Sequence, residues 1–233
     1  MVNAIPVPAR HVLVVADGDV AARAALDAAW PGWSDGVATV VAADGGYARA
    51  VSLGFPPDVL VGDLDSLAPD MAAAAAAAGT RIERFSPDKD ESDAELALLE
   101  AVAMGAERVT VLGAFGGARL DHELANLWLL AHPRLARVDL VLLYAGARAR
   151  LVSAPGRAGG AVTQPLPGRP GAIVSLLPFG GDAEGITTAG LRYPLRDEPL
   201  RVGPARGLSN VRVAADASVT LRSGRLLVVE RPA

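Results

Sequence analysis

A chain of 233 residues that is 51% apolar and 21% charged is too apolar for disorder and long enough for one large domain or two smaller ones. Its net charge of −4 excludes a broad electrostatic grip on nucleic acid or anionic lipid, and the absence of cysteine excludes disulfides, zinc–thiolate sites and thiol nucleophiles. No apolar run reaches the roughly 18 residues of a membrane span. The opening residues also lack a basic segment followed by a long apolar one, so no signal peptide and a cytoplasmic location are expected.

From the N-terminus, short runs rich in Val and Leu alternate with helical stretches. The runs are "HVLVVADG", "ATVVAADGG", "DVLVGDLDS", "RIERFS", "RVTVLGAFGG" and "DLVLLYAG". They lack clean polar alternation, as strands covered on both faces do. Between them lie "VAARAALDAAW", "YARAVSLG", "PDMAAAAAAAG", "SDAELALLEAVAMG" and "RLDHELANLWLLAHP". Pro69 suits a helix start, Gly79 and Gly105 suit helix ends, and Leu96, Leu99 and Val102 share one helical face. This order predicts an α/β domain whose mostly parallel sheet carries helices on both faces. After about Arg150 the helical period ends, and Gly and Pro punctuate short segments such as "AVTQPLPG", "AIVSLLPFG" and "SNVRVAADASVTLRSGRLLVVE". They predict an antiparallel all-β sandwich or small barrel. A boundary near 148–152 divides the chain into an α/β domain over 1–148 and a β-sandwich domain over 149–233.

Three strand ends of the first half carry polar chemistry. "VVAADGG" ends in Asp44-Gly45-Gly46, "VLVGDLDS" in Asp63 and Asp65, and "VTVLGAFGGARLD" runs through Gly113, Gly116 and Gly117 to Arg119 and Asp121. Ligands of open parallel sheets bind beyond the carboxyl ends of the strands, and glycines there let backbone amides approach an anion. If the chain stays extended, Asp63 and Asp65 point to the same side with Cα atoms about 6–7 Å apart. Carboxylates so close repel, and a hard divalent cation such as Mg²⁺, which prefers oxygen ligands, resolves the repulsion. Single aspartates also stop strands and cap helices; their recurrence at several strand ends favours the metal.

Lys89 is the only lysine; every other basic side chain apart from the three histidines is arginine. A compact ammonium does chemistry that a planar guanidinium does not. In "SPDKDESDAEL" Lys89 is expected in a loop on the same sheet edge, placed to hold a phosphate, with Asp93 placed to join the metal. Ser92 and Glu95 have the spacing of a capping box, which is compatible with that role. Neither a Walker A loop nor a Gly-x-Gly-x-x-Gly helix start is present. His122 lies within a site motif, whereas His11 and His132 have no metal-ligand spacing and are expected to be structural or exposed.

The segments "ADGGYARA", "PDVLVGDLDSL", "KDESDAELAL" and "GAFGGARLDHELANL", in this order, resemble those of the thiamine pyrophosphokinase family, and "GITTAGLRYPL" and "GLSN" resemble its C-terminal segments. The resemblance implies transfer of pyrophosphate from ATP to the hydroxyl of thiamine with Mg²⁺, giving thiamine diphosphate and AMP. It also implies a homodimer with thiamine bound between subunits. By motif position, Asp44, Asp63, Asp65 and Asp93 would lie at the metal. Lys89, Ser92, Arg119 and Asp121 would contact the nucleotide, with Gly45, Gly46, His122 and Asn126 completing that set. The resemblance makes Lys89, Arg119, Asp121 and the carboxylates Asp65 and Asp93 the catalytic candidates, and Tyr193, Ser209 and Asn210 the substrate-binding ones. Ser92 replaces the usual Thr, and Ala118 is inserted before Arg119. Two other activities fit some of the same residues: a pyrophosphokinase for another alcohol such as a pterin, and a phosphoacceptor receiver-like domain using Asp63.

Overall fold

Six of the apolar runs form parallel strands in the first of two compact units, Met1–Tyr144 and Ala145–Ala233. The structure, a computed structural model, describes residues 10–65, 67, 69–117, 119–156 and 159–233; Ala118, the inserted residue, lies outside them. In chain order the first unit contains β1 (His11–Val15), α1 (Arg23–Ala29), β2 (Val37–Ala43), α2 (Gly46–Ser52), β3 (Val59–Gly62), α3 (Pro69–Ala77) and β4 (Arg81–Arg84). It continues with α4 (Asp93–Ala103), β5 (Arg108–Leu112), α5 (Leu120–Trp128), two 3-10 turns and β6 (Asp139–Tyr144).

The strands pair in the order β6-β5-β1-β2-β3-β4, every pair parallel. The chain therefore winds outward from β1 to β4, crosses back, and continues from β5 to β6. Right-handed crossovers put α1–α3 on one face and α4–α5 on the other. β1 and β3 are buried along their whole length, which explains why they read as continuous apolar runs. Helix ends follow their sequence signals. Pro69 opens α3, and Gly105, at φ +80°, closes α4 while Ala106 N–H donates to Ala101 O at 3.0 Å.

His11 is buried rather than exposed. Its Nε2 meets Thr110 Oγ1 at 2.9 Å and its Nδ1 meets Asp35 O at 3.0 Å, and burial holds its pKa below the ordinary value. His132 accepts from Arg134 N–H at Nδ1, which leaves Nε2 facing Glu95 at 3.4 Å.

The second unit contains β7 (Ala147–Ala154), β8 (Val162–Pro167), β9 (Ile173–Pro178), β10 (Ala183–Ala189), β11 (Glu198–Leu200), β12 (Asn210–Val211), β13 (Asp216–Leu221) and β14 (Gly224–Arg231). They form two antiparallel sheets, β12-β9-β14-β7 and β11-β10-β13-β8. Between the sheets Val152, Leu166, Leu176, Ile186, Val219, Leu221, Leu226 and Val228 form the sandwich core. Pro165 and Pro167 sit in β8, at the edge of its sheet, where a missing N–H interrupts no inner ladder.

One end of this core is charged. Glu230 shares the inward-facing side of β14 with Leu226 and Val228 and is only 1% exposed. It receives Arg148 Nε at 2.6 Å and an Arg212 terminal nitrogen at 2.5 Å, and the Arg212 side chain is itself 2% exposed. Burial alone would raise the Glu230 pKa; the hydrogen bond and charge of Arg148, the hydrogen bond of Arg212 and the charge of Arg150 outweigh it and hold the carboxyl below its usual range. Among the described residues no helix is long and apolar enough to cross a membrane.

Candidate active site

The crossover from edge strand β4 back to β5 carries the start of α4 over the ends of β2 and β3. Ser92 caps the helix, its Oγ accepting from Glu95 N–H at 3.2 Å. The side chain of Glu95 turns to His132 instead of closing a reciprocal box. Asp93, the first helical residue, lies against Gly62, where an added Cβ would stand 3.3 Å from both Asp93 Oδ1 and Asp44 Cβ. Glycine at 62, with φ +151°, therefore permits the approach of two carboxylates.

Asp44, Asp63 and Asp93 each bring a carboxylate oxygen within 4.8 Å of the others. At an effective dielectric near 20, each such pair repels by about 3 kcal/mol. Asp44 is buried, with φ +46° at the turn between β2 and α2. Lys89 reaches the trio from the loop after β4, with Nζ 3.0 Å from Asp93 Oδ1 and 3.6 Å from Asp63 Oδ2. Burial opposes its charge, but Asp93 and Asp63 hold its pKa above the ordinary value. The Asp63 carboxyl is held low first by the Asp65 N–H, 3.1 Å from Oδ1, against burial, and then by Lys89.

Asp65 is not in the trio. Its expected alignment with Asp63 required an extended chain, but β3 ends at Gly62 and Leu64 adopts φ +64°, burying its own side chain and leaving Asp65 exposed. Asp65 instead contributes its backbone N–H to Asp63.

A cleft of about 360 Å³ opens beside the trio, lined among others by Asp44, Lys89, Ser92, Asp93, Arg119, His122 and Asn126. Arg119 extends from the start of α5 and is gripped at both ends of its fork by Asp121, at 2.9 and 2.7 Å. That pairing, led by the hydrogen bond from Arg119, pulls the Asp121 carboxyl well below the usual range. Asn126 donates to Ala114 O at 2.9 Å, tying α5 to the turn after β5. The two glycines after Asp44 do not line this cleft. Gly46 packs α2 on β1, where a Cβ would fall 2.1 Å from Val15 O; Gly45 faces the Asp17 carboxylate and a neighbouring hollow.

Asp17 is a cleft residue that the strand-end argument passed over. The signal was present: "ADGD" at 16–19 repeats the "ADGG" of 43–46 at another strand end. Asp17 pairs with Arg49 at 3.3 Å.

In the second unit, Asn210 is buried and clasps the backbone of Tyr193. Its Oδ1 accepts from Tyr193 N–H at 3.0 Å, and its Nδ2 donates to Tyr193 O at 2.7 Å. Tyr193 itself is 63% exposed. Ser209, at φ +57°, donates its N–H to Ser175 Oγ.

Comparison with known proteins bears on both units. The family model for the thiamin pyrophosphokinase catalytic domain matches residues 33–142, and that for the thiamin pyrophosphokinase vitamin B1 binding domain matches residues 163–226. Thiamine pyrophosphokinase 1 of Oryza sativa subsp. japonica is 28% identical over 181 residues, covering 72% of this chain and 66% of the rice protein, just under two thirds of its length. Thiamine pyrophosphokinase of Bacillus subtilis is 23% identical over 198 residues, 85% of this chain and 89% of that one. The crystal structure of the Bacillus subtilis thiamine pyrophosphokinase shares the fold, with a TM-score of 0.80 at 21% identity over 96% of this chain and 100% of that chain. A thiamin pyrophosphokinase family protein from Enterococcus faecalis gives 0.75 at 25% identity over 96% and 99%. The α/β unit and the β-sandwich unit are each matched by the model for the corresponding half of one family. The chain belongs to the thiamin pyrophosphokinase family.

Proposed function

We infer that this chain transfers a pyrophosphoryl group from ATP to the hydroxyl of thiamine, giving thiamine diphosphate and AMP, with Mg²⁺ held by Asp44, Asp63 and Asp93. The observation that carries the metal assignment is the convergence of these three carboxylates beside a cleft in the unit that matches the catalytic-domain model. The donor set fits. All three ligands are hard oxygens, the donor type that Mg²⁺ prefers, and they already lie within 4.8 Å of one another. Three carboxylates and one ammonium also leave two negative charges among these four groups. Bound there, Mg²⁺ would supply charge neutralisation to the triphosphate.

The chain's own groups account for the rest. The thiamine hydroxyl oxygen attacks the β-phosphorus, the bond from that phosphorus to the oxygen bridging it to the α-phosphorus breaks, and AMP leaves. Arg119, oriented by Asp121 at the cleft wall, offers its remaining guanidinium N–H groups to charge growing on the transferred phosphates. Ser92, His122 and Asn126 line the same wall and belong to the nucleotide side. One of the catalytic candidates Asp65, Asp93 and Asp121 takes the hydroxyl proton.

The match of the second unit to a vitamin B1 binding model supports thiamine contacts at Tyr193, with Ser209 and Asn210 shaping the loop beneath it. A cytoplasmic homodimer with thiamine at the subunit interface is part of the same assignment, supported by the sequence motifs. The test is AMP release with ATP, Mg²⁺ and a panel of alcohols including thiamine and a hydroxymethyl pterin. AMP release that needs thiamine and metal together is expected; release with the pterin alone would transfer the assignment to the other alcohol. The receiver-like alternative draws no support from either family match.

Asn210→Ala removes both bonds to the Tyr193 backbone. The KM for thiamine should rise about tenfold with the KM for ATP unchanged, since a displaced aromatic costs about 1–2 kcal/mol of binding. Steady-state kinetics with each substrate varied in turn checks it; an equal rise in both values would remove Tyr193 from the thiamine side.

A further inference from the structure

Lys89 occupies an unusual place for a residue expected to grip phosphate. Its ammonium is turned away from a free donor role and lies between two members of the acidic trio, 3.0 Å from Asp93 Oδ1 and 3.6 Å from Asp63 Oδ2, with 12% of its side chain exposed. It stands in the irregular loop between β4 and α4, not on a strand or helix, so its side chain can leave without unwinding an element. It is also the one lysine in a chain that otherwise uses arginine for every strong base. An ammonium is compact and nearly spherical, the shape of a cation seated between carboxylates; a planar guanidinium fork is not.

We propose that Lys89 is an internal stand-in for the divalent cation, holding Asp63 and Asp93 together before the metal arrives and swinging into the cleft when the metal takes those carboxylates. This rests on the metal assignment given above. The two positive groups seek the same two carboxylates, and like charges within a few ångströms repel, so seating one expels the other. The cleft already adjoins Lys89, and the released ammonium meets there the phosphates that accompany the metal. One side chain thereby does two jobs in sequence. Without metal it keeps the like-charged carboxylates assembled. With metal it adds a donor to the nucleotide at the moment when the nucleotide binds. Metal binding without nucleotide is weakened by this competition, because the metal-competent state is only a fraction of the whole; nucleotide relieves it by giving the displaced ammonium a new partner.

The test is nucleotide-free Mn²⁺ binding, followed by electron paramagnetic resonance, in the wild type, Lys89→Met and Asp93→Asn. Lys89→Met should bind Mn²⁺ about tenfold more tightly than the wild type, the factor expected if the ammonium occupies the site about nine-tenths of the time. A lysine that served only as a phosphate donor would leave this affinity unchanged, and that result overturns the proposal. Amine acylation of the wild-type protein, read by mass at residue 89, needs no variant. It should accelerate with saturating Mg²⁺ and slow again when a non-hydrolysable ATP analogue is added; a rate indifferent to Mg²⁺ overturns the proposal as well. Asp93→Asn separates the two levels. If it loses Mn²⁺ while Lys89→Met binds as the wild type does, only the stand-in role fails. If neither the wild type nor either variant binds Mn²⁺, or if Asp93→Asn binds it as tightly as the wild type, the metal assignment fails and takes this proposal with it.

Discussion

Asp93→Asn should lower thiamine-dependent AMP release by about 10³-fold while shifting the melting temperature by no more than about 3 °C. The two halves of this expectation come from the same geometry. Asp93 supplies one of three carboxylates that meet within 4.8 Å, and an amide in its place offers a neutral oxygen and one fewer charge to a divalent cation. The positioning and charge stabilisation that phosphoryl transfer depends on fall together. Stability responds weakly because two effects oppose each other. The substitution relieves repulsion from Asp44 and Asp63, and it removes the ion pair with Lys89. Ser92 continues to cap α4, since its Oγ bonds the Glu95 N–H and not the Asp93 side chain. Kinetics and calorimetry on the same preparation check both halves. Activity within tenfold of the wild type would remove Asp93 from the metal, and unfolding at the growth temperature would make it a structural residue.

Much of the α/β unit is legible in the sequence because buried parallel strands and amphipathic helices impose different periods, and because Gly and Pro mark the helix ends. The gathering of carboxylates is legible for a related reason: an aspartate directly after an apolar run lies at the carboxyl edge of the sheet whatever the strand order. What the sequence hides is local dihedral choice. Nothing in "GDLDS" announces that Leu64 turns into the left-handed region, yet this one residue decides that Asp63 joins the trio and Asp65 does not. The role of Asn210 is hidden for another reason. Its position beside Ser209 suggests a side chain that faces a substrate, whereas its amide is engaged by the backbone of Tyr193, seventeen residues away. The charged end of the sandwich core is hidden too. "ARAR" alternates as a half-exposed strand does and "LVVER" ends an apolar run in two charges, and neither pattern reveals that Arg148 and Glu230 lie on the inward-facing side.

That charged end carries the second large effect. Glu230→Gln should destabilise the protein by about 3–5 kcal/mol at pH 7, a large share of the 5–15 kcal/mol typical of a whole domain. The wild-type carboxylate is 1% exposed and faces Arg148 and Arg212; a neutral amide withdraws the charge that both guanidinium groups meet there, and Arg212 has almost no access to water. Removing one member of such a group costs more than replacing the group, so Glu230→Met combined with Arg212→Met should lose less stability than Glu230→Gln alone. The effect also has a defined pH window. The folded Glu230 carboxyl titrates below its unfolded value of about 4.3, so its contribution is complete above that value and is lost as pH falls through the lower, folded one. Urea unfolding from pH 7 downward should therefore show a constant gap between wild type and Glu230→Gln until about pH 4, then a narrowing gap. A gap that stays constant into strong acid would mean that the carboxyl enters the folded core protonated, and one that closes already between pH 7 and 5 would mean that burial, not the arginines, sets its affinity for the proton.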